Sequence, residues 1–426
     1  MISEAPIKLG EPTLRWSARA HSIAEIESEL SRIWASQDLT TDIDGAPGRH
    51  IAARTSVMNL VVVARRPEIA ERCAATIQAL TGRHPSRTVV IQSADPDGPS
   101  WLDARVEAHC VLPREDAPET CAETIHLICG GESGHHLAAI ATPLIIHDLP
   151  VTIWWPGEPP LHSRPARDLF ATADRLVVDG STWSGDGLAR LRDLAVLQES
   201  SRLAVSDFAL VRQSRWREAI ASIFDDPDFL PYLRYLRRIA VTYSTHDETC
   251  APGSANLVKP LYHIGWIASR LNLTVVKPLE PVTGRGSTNQ AGPANRPGPA
   301  RPVSGKPITG RGLAATLSDG RADVAVVARP IVSSMPSGTT LRVELLADRR
   351  GSELRADVTA EAETVHVRVW QDGVEAWDRH FRAPRRTDVD LLAEAIEAGR
   401  RDPVAVGALR SAAALVREEH GHDARF

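Results

Sequence analysis

The 426-residue chain sets 49 basic against 54 acidic residues, a net charge of −5 that speaks against a dedicated nucleic-acid binder. Its 43% hydrophobic content is ample for a core, and the length predicts two or three domains at about 150 residues each. No stretch approaches the roughly 18–20 apolar residues of a membrane span, and MISEAPIKLGEPTLRW lacks a basic-then-apolar leader, so a cytoplasmic protein without membrane partners is expected.

Only Lys8, Lys259, Lys277 and Lys306 among the basic residues are lysines, and an arginine bias spread along the whole chain reads as a GC-rich genome rather than an anion site. Five cysteines (Cys73, Cys110, Cys121, Cys129, Cys250), odd in number and without a C-x-x-C pair, suit a reducing compartment better than a disulfide framework.

Ile23, Ile26, Leu30, Ile33 and Trp34 recur at helical spacing and predict an amphipathic helix over 21–36. The β-branched run 57–64 (VMNLVVVA) predicts a strand covered on both faces. Pro67 opens a helix to Leu80, and RTVVIQ at 87–92 completes a βαβ unit. Strands at 104–112 and 123–129 are too closely spaced for a parallel crossover and predict an antiparallel hairpin. A helix over 134–147, the strand VTIWW, a short helix near 165–173 and the strand RLVVDG continue the alternation. Helices at about 186–199, 214–224, 229–238 and 254–270 follow, with a strand at 239–244. Residues 277–312 hold seven prolines and seven glycines, a composition that cannot bury enough area to order itself. Beyond them, alternating strands at 323–328, 340–346, 353–359 and 363–370 lead to Asp372-Gly373, a hairpin signal, and helices at 387–398 and 403–418 close the chain.

The most informative segment is 141–160, ATPLIIHDLPVTIWWPGEPP. Adjacent tryptophans on a strand face opposite sides, so at most one of Trp154 and Trp155 enters a given core layer. Pro156, Gly157, Glu158 and the prolines after them end the strand in a rigid turn, a device suited to recognition. Ser214-Arg215-Trp216-Arg217 reads as a helix start capped by Ser214. Trp and Arg are enriched in interface hot spots, so Trp154, Trp155, Arg215, Trp216 and Arg217 are candidates for protein contact.

Other constellations compete with structural explanations. Gly130-Gly131-Glu132-Ser133-Gly134 follows a strand and precedes a helix, but it matches neither P-loop nor G-x-G-x-x-G, and Glu132 would repel a phosphate. Arg83, His84 and Arg87 could bind an anion, yet they sit at a strand's amino end, away from the edge where open α/β sheets take ligands. Histidines 109, 126, 135, 136 and 147 near Cys110, Cys121 and Cys129 fit no zinc spacing, so no metal is expected. His147-Asp148 has no G-x-S-x-G partner, and no catalytic residue or cofactor is assigned.

In order, VMNLVVVARR, GRHPSRTVVI, HLAAIATPLIIHDLPVTIWWPGEPP and DRLVVDGS, then SDFALVRQSRWREAIASIFDDP, GWIASRLNL and RDPVAVGALRSAAAL, resemble the OpcA family. These are the glucose-6-phosphate dehydrogenase assembly proteins of cyanobacteria and actinobacteria, and D-L-P-V-x-x-W-W-x-G-x-P-P is the most specific block. The resemblance implies a non-enzymatic partner that binds the dehydrogenase, favours its oligomer and raises its affinity for glucose 6-phosphate. Some members are implied to respond to thioredoxin through cysteines, but the cysteines here lack redox-motif spacing.

The expected architecture is an α/β domain over 1–275 with a mixed sheet flanked by helices, a flexible linker over 276–312 and a smaller α+β domain over 313–426. The alternative to an assembly factor is a sugar-phosphate or nucleotide-binding enzyme using Arg83–Arg87 and Gly130–Gly134.

Overall fold

The computed structural model describes residues 10–35, 40–42, 49–51, 53–94, 97–112, 114, 119–251, 253–282, 312–399 and 401–417. In chain order the elements begin with β1 (Thr13–Ala20), α1 (Ile23–Ala35), β2 (Thr40–Asp42), β3 (Arg49–Ile51), β4 (Ala53–Arg54) and β5 (Met58–Ala64). They continue with α2 (Pro67–Leu80), β6 (Ser86–Ser93), β7 (Trp101–Val111), β8 (Thr120–Gly130), α3 (Leu137–Ala141) and β9 (Val151–Trp155). Next come α4 (Arg164–Phe170), β10 (Arg175–Val178), α5 (Leu188–Ser200), β11 (Ala204–Asp207), α6 (Phe208–Val211) and α7 (Ser214–Ile223). The second half adds β12 (Leu236–Thr245), α8 (Val258–Arg270), β13 (Thr274–Pro281), β14 (Leu313–Ser318), β15 (Asp323–Val332) and β16 (Thr340–Arg349). It ends with β17 (Ser352–Ala360), β18 (Thr364–Gln371), β19 (Val374–Arg382), α9 (Asp388–Glu397) and α10 (Pro403–Ala414).

Two compact units emerge. The first gathers the described residues of Met1–Asp179, Ser200–Asp207 and Arg386–Arg400. Its sheet runs β1-β7-β8-β6-β5-β9-β10-β11, with β4 beside β8. The strands from β8 to β11 are mutually parallel, while β7 and β1 add antiparallel ribbons at one side. All seven residues of β5 and all five of β9 are buried, as expected of central parallel strands covered on both faces. Each aliphatic side chain so buried contributes about 1.5–3 kcal/mol. The βαβ unit and the β7–β8 hairpin form as the sequence predicts.

The second unit gathers the described residues of Gly180–Glu199, Phe208–Arg385 and Arg401–Phe426. Its eight-stranded sheet runs β13-β14-β15-β12-β16-β17-β18-β19. β12 lies parallel to β15 and antiparallel to β16. One face is apolar, with Val343, Val358 and Val367 fully buried. The other carries a network in which Arg238, Arg342 and Arg355 hold Glu344, and Arg342 and Arg355 also hold Asp357. Burial alone would raise the Glu344 carboxyl, but the three guanidinium groups outweigh it and hold the carboxyl below its ordinary range. Helix α10 packs on α8 at Gly265, where a Cβ would come within 2.5 Å of the Ala408 carbonyl oxygen.

Some expectations need correction. The helix expected over 134–147 is broken: Gly131–His135 and Thr142–Leu144 are 3-10 turns around the short α3, because His136 leaves helical geometry at φ −114° and ψ 46° and Pro143 lacks an N–H for the ladder. The helix expected over 229–238 is a 3-10 turn at Leu230–Tyr235, after which β12 begins at Leu236. Gln213, not Ser214, occupies the N-cap position of α7, where its side chain makes no capping bond, and Ser214 is the first residue of the helix. Cys110 and Cys121, directly opposite on β7 and β8 with Cα atoms 4.0 Å apart, form a disulfide, against the expectation of unpaired cysteines. The Asp372-Gly373 turn does form, with both residues at positive φ.

Most of the expected linker, 283–311, lies outside the described residues, and its first residues belong to β13, which pairs antiparallel with β14. Strands from both sides of this stretch therefore share one sheet. We expect a protease site engineered into 283–311 and cut under native conditions to leave two fragments that co-elute on size exclusion. Fragments that separate without denaturant would count against the shared sheet.

Candidate interaction site

Parallel strands of the first unit finish on one edge, at Ala64, Ser93, Gly130, Trp155, Val178 and Asp207. The chain progresses from β5 through β6 to β8 on one side, then restarts at β9 on the other side of β5 and continues to β10 and β11. The carboxyl edge between β5 and β9 is thus a topological switch point, where open α/β sheets place ligands. Arg65 and Arg66, both exposed, stand on the β5 side, and Pro156-Gly157-Glu158 stand on the β9 side.

Asn59, fully buried, fixes how β9 is entered. Its amide donates to the carbonyls of Ile146 and Leu149 at 2.9 and 3.3 Å, and its Oδ1 accepts from the Ile146 N–H at 2.7 Å. Asp148 completes the turn with a φ of 68°. The strand that follows buries both tryptophans: Trp154 is 1% and Trp155 5% exposed. Both residues are therefore core, each in its own layer, as their opposite facings allow, and neither is exposed as a candidate for protein contact. Trp155 meets the edge of Phe170 on α4 at 5.9 Å, and Trp154 lies in register with Val62 and Val177. Pro156 is buried, while Gly157 and Glu158 are half-buried, so these two form the accessible part of the turn.

The segment 215–217 belongs to the second unit, where α7 packs against β17, β18 and β19. Arg215 is exposed and pairs with Glu218 at 2.6 Å. Trp216 is half-buried and tilts onto His263 at 5.1 Å. Burial, with Arg217 and Lys259 nearby, pushes His263 down to about 3, so its ring stays neutral. Arg217 turns back to donate to the Leu210 carbonyl at 2.5 Å.

The possible anion-binding residues are not brought together. Arg83 and His84 both hold Glu397, at 2.6 and 2.9 Å. Arg87, 8% exposed, holds the fully buried Glu123 at 2.5 Å, and Trp34 donates to the same carboxylate. These residues flank the amino end of β6, whereas Gly130–Gly134 follow the carboxyl end of its parallel neighbour β8. The length of β6 separates the two groups, roughly 23 Å at about 3.3 Å per residue. The glycines themselves are used for close packing. A Cβ on Gly131 would come within 2.5 Å of the Gly98 carbonyl oxygen, and one on Gly134 within 2.8 Å of Ser93 Oγ. The composite sugar-phosphate or nucleotide site is therefore not assembled.

His109 and His126 both face Glu107, at 3.9 and 3.2 Å, while His135, His136 and His147 are exposed. Trp101, absent from the sequence-based candidates, is 43% exposed at the start of β7, opposite Gly130 on the carboxyl edge. Its signal is the strand alternation of Trp101–Val111, which extends three residues before the strand expected at 104–112.

Residues 77–195 match the family model described as glucose-6-phosphate dehydrogenase subunit N-terminal domain, and residues 203–408 match that of the C-terminal domain. The chain belongs to the OpcA family of glucose-6-phosphate dehydrogenase assembly proteins. A similar OpcA family protein, named "Putative OxPP cycle protein OpcA", occurs in Synechocystis sp. and is 25% identical over 178 residues, 41% of this chain and 35% of the relative. That of Nostoc punctiforme is 24% identical over 173 residues, 40% of this chain and 34% of the relative. The chain thus spans about a third of the length of these relatives. Among solved structures, an NAD binding oxidoreductase from Klebsiella pneumoniae has a TM-score of 0.42 at 10% identity, covering 85% of this chain and 96% of that one. A biliverdin reductase from Synechocystis sp. has a TM-score of 0.38 at 12% identity, covering 84% and 98%.

Proposed function

We propose that this chain is a non-enzymatic assembly factor and allosteric activator of glucose-6-phosphate dehydrogenase. It promotes the active oligomer and so feeds the oxidative pentose phosphate pathway and NADPH supply. The observation that supports this reading is the match of both halves of the chain to models of glucose-6-phosphate dehydrogenase subunit domains. Consistent with it, Arg87, Glu123, Arg15 and Glu119, buried in the first unit, are taken up in ion pairs within the protein.

An activator must bind the competent state of its enzyme more tightly than the incompetent one. The contact surface we favour is the carboxyl edge of the first sheet, with Gly157 and Glu158 at the switch point and Trp101 as an aromatic anchor. The exposed Arg215 side of α7 is the second candidate surface. Addition of the purified chain to its cognate dehydrogenase is expected to lower the KM for glucose 6-phosphate. A coupling of about 1–3 kcal/mol corresponds to a 5–150-fold change. The mass of the complex, measured by light scattering, should exceed that of the dehydrogenase alone. If neither KM nor mass changes on mixing, the proposal fails.

A further inference from the structure

The β18–β19 hairpin and the turn before it gather two histidines and two carboxylates at one place on the second sheet. His366 and His380 are register partners on adjacent strands. Their rings stack with centroids 4.1 Å apart and planes within 10°. Both Nδ1 atoms face Glu361 of the β17–β18 turn, at 3.2 Å from His380 and 3.6 Å from His366. Both Nε2 atoms face Asp378 Oδ1, at 2.7 Å from His366 and 3.9 Å from His380. Glu361 is oriented in turn, because Thr364 Oγ1 donates to its Oε2 at 2.6 Å and its own N–H donates to the Thr364 carbonyl at 3.0 Å. Beneath the cluster, Val365 and Val367 are buried and anchor the strand.

We propose that Glu361, His366 and His380 form a binding site for a divalent transition-metal ion of the zinc type, with Asp378 orienting the imidazoles from their far side. The donor set decides the class of ion: two imidazoles and one carboxylate suit zinc, nickel or copper, whereas calcium and magnesium demand oxygen. Three protein ligands leave a fourth position for water in a tetrahedral site. Donor atoms of the three residues already lie within 4.8 Å of one another. Ligands about 2.0–2.2 Å from a zinc ion stand roughly 3.4 Å apart, so modest side-chain rotations close the set. Glu361 and His380 are exposed and can make them. The ion must lie in the plane of each ring, so binding turns the two imidazoles out of their stack.

Asp378 supplies a second, separate indication. Metal-bound histidines almost always donate their other ring N–H to a carboxylate or carbonyl, which fixes the tautomer and raises the basicity of the ligating nitrogen. Here His366 Nε2, turned away from Glu361, meets such a carboxylate at 2.7 Å, and His380 Nε2 lies 3.9 Å from the same oxygen. The pairing also depends on a register shift at the turn end of the hairpin. Trp370 pairs with Glu375 but Val369 with Trp377, so Ala376 is bulged out of the ladder; were it paired in regular register, His366 would face Arg379.

The test is titration of the tag-free full-length chain with zinc chloride by calorimetry, paired with thermal melts. The expected result is one saturable equivalent per chain and a raised Tm, since an ion bound only by the folded state stabilises it. His380→Ala should weaken binding at least tenfold, and Asp378→Asn by about tenfold. His136→Ala, which alters an exposed histidine in the first unit, should change nothing. Cobalt in place of zinc should show d–d absorption that His380→Ala abolishes. If His380→Ala lowers Tm without metal, Glu361→Gln repeats the comparison from the turn. No saturable uptake by the wild-type chain, or uptake undiminished in both variants, overturns the site.

Discussion

Arg87→Ala is expected to destabilise the first unit by about 3–5 kcal/mol, because it removes a cation paired at 2.5 Å with a fully buried carboxylate. Glu123 is 0% exposed, and the Arg87 guanidinium and the indole N–H of Trp34 are among the groups that hold it. The double variant Arg87→Met, Glu123→Leu should recover most of the loss, since apolar replacements of similar volume remove the desolvation cost of both ions. Urea denaturation followed by far-UV circular dichroism makes the comparison. The outcome also separates two readings of Arg87. A residue reserved for an anionic ligand would leave the melt unchanged on substitution, and a single variant no less stable than wild type would show that the pair is not structural.

Trp154→Ala should cost about 3–5 kcal/mol of stability, as expected for a large aromatic removed from a packed core. Trp154 is among the largest fully buried side chains, and its neighbours in register, Val62 and Val177, sit on central strands with little room to collapse into the space. Trp101→Ala should behave in the opposite way. It is exposed at the end of a strand, so the fold should survive, while an anchor role would cost about 2 kcal/mol or more of binding to the dehydrogenase. Melting curves and complex affinity measured on both variants give a crossed design. If Trp101→Ala binds like wild type, the carboxyl edge is not the contact surface.

Much of this architecture was legible because local pattern and global fold agree. The apolar run 58–64, Pro67 at a helix start and the Asp372-Gly373 turn each report their element directly. What escaped was decided at long range. Leu236 and Arg237 continue a plausible helix, yet β12 begins there because its hydrogen-bond partners lie on β15 and β16, far along the chain. Pro278 and Pro281 made β13 read as linker, but β13 is an edge strand, where a missing N–H is tolerated. The Trp154-Trp155 pair declared opposite faces, whereas the covering of both faces comes from helices placed elsewhere in the sequence. The His366–His380 pairing was hidden by one extra residue, Ala376, which no count from the turn would anticipate.

The position of β12 carries a consequence for synthesis. As the chain leaves the ribosome, an apolar strand at 236–245 emerges well before either of the strands that will flank it. Until residues 323–349 follow, both of its edges lack their final partners, an invitation to mispairing with other nascent chains. A gene fragment starting at residue 313 would supply β15 and β16 with nothing to join them. The second sheet can therefore close around β12 only after residues 323–349 have been made.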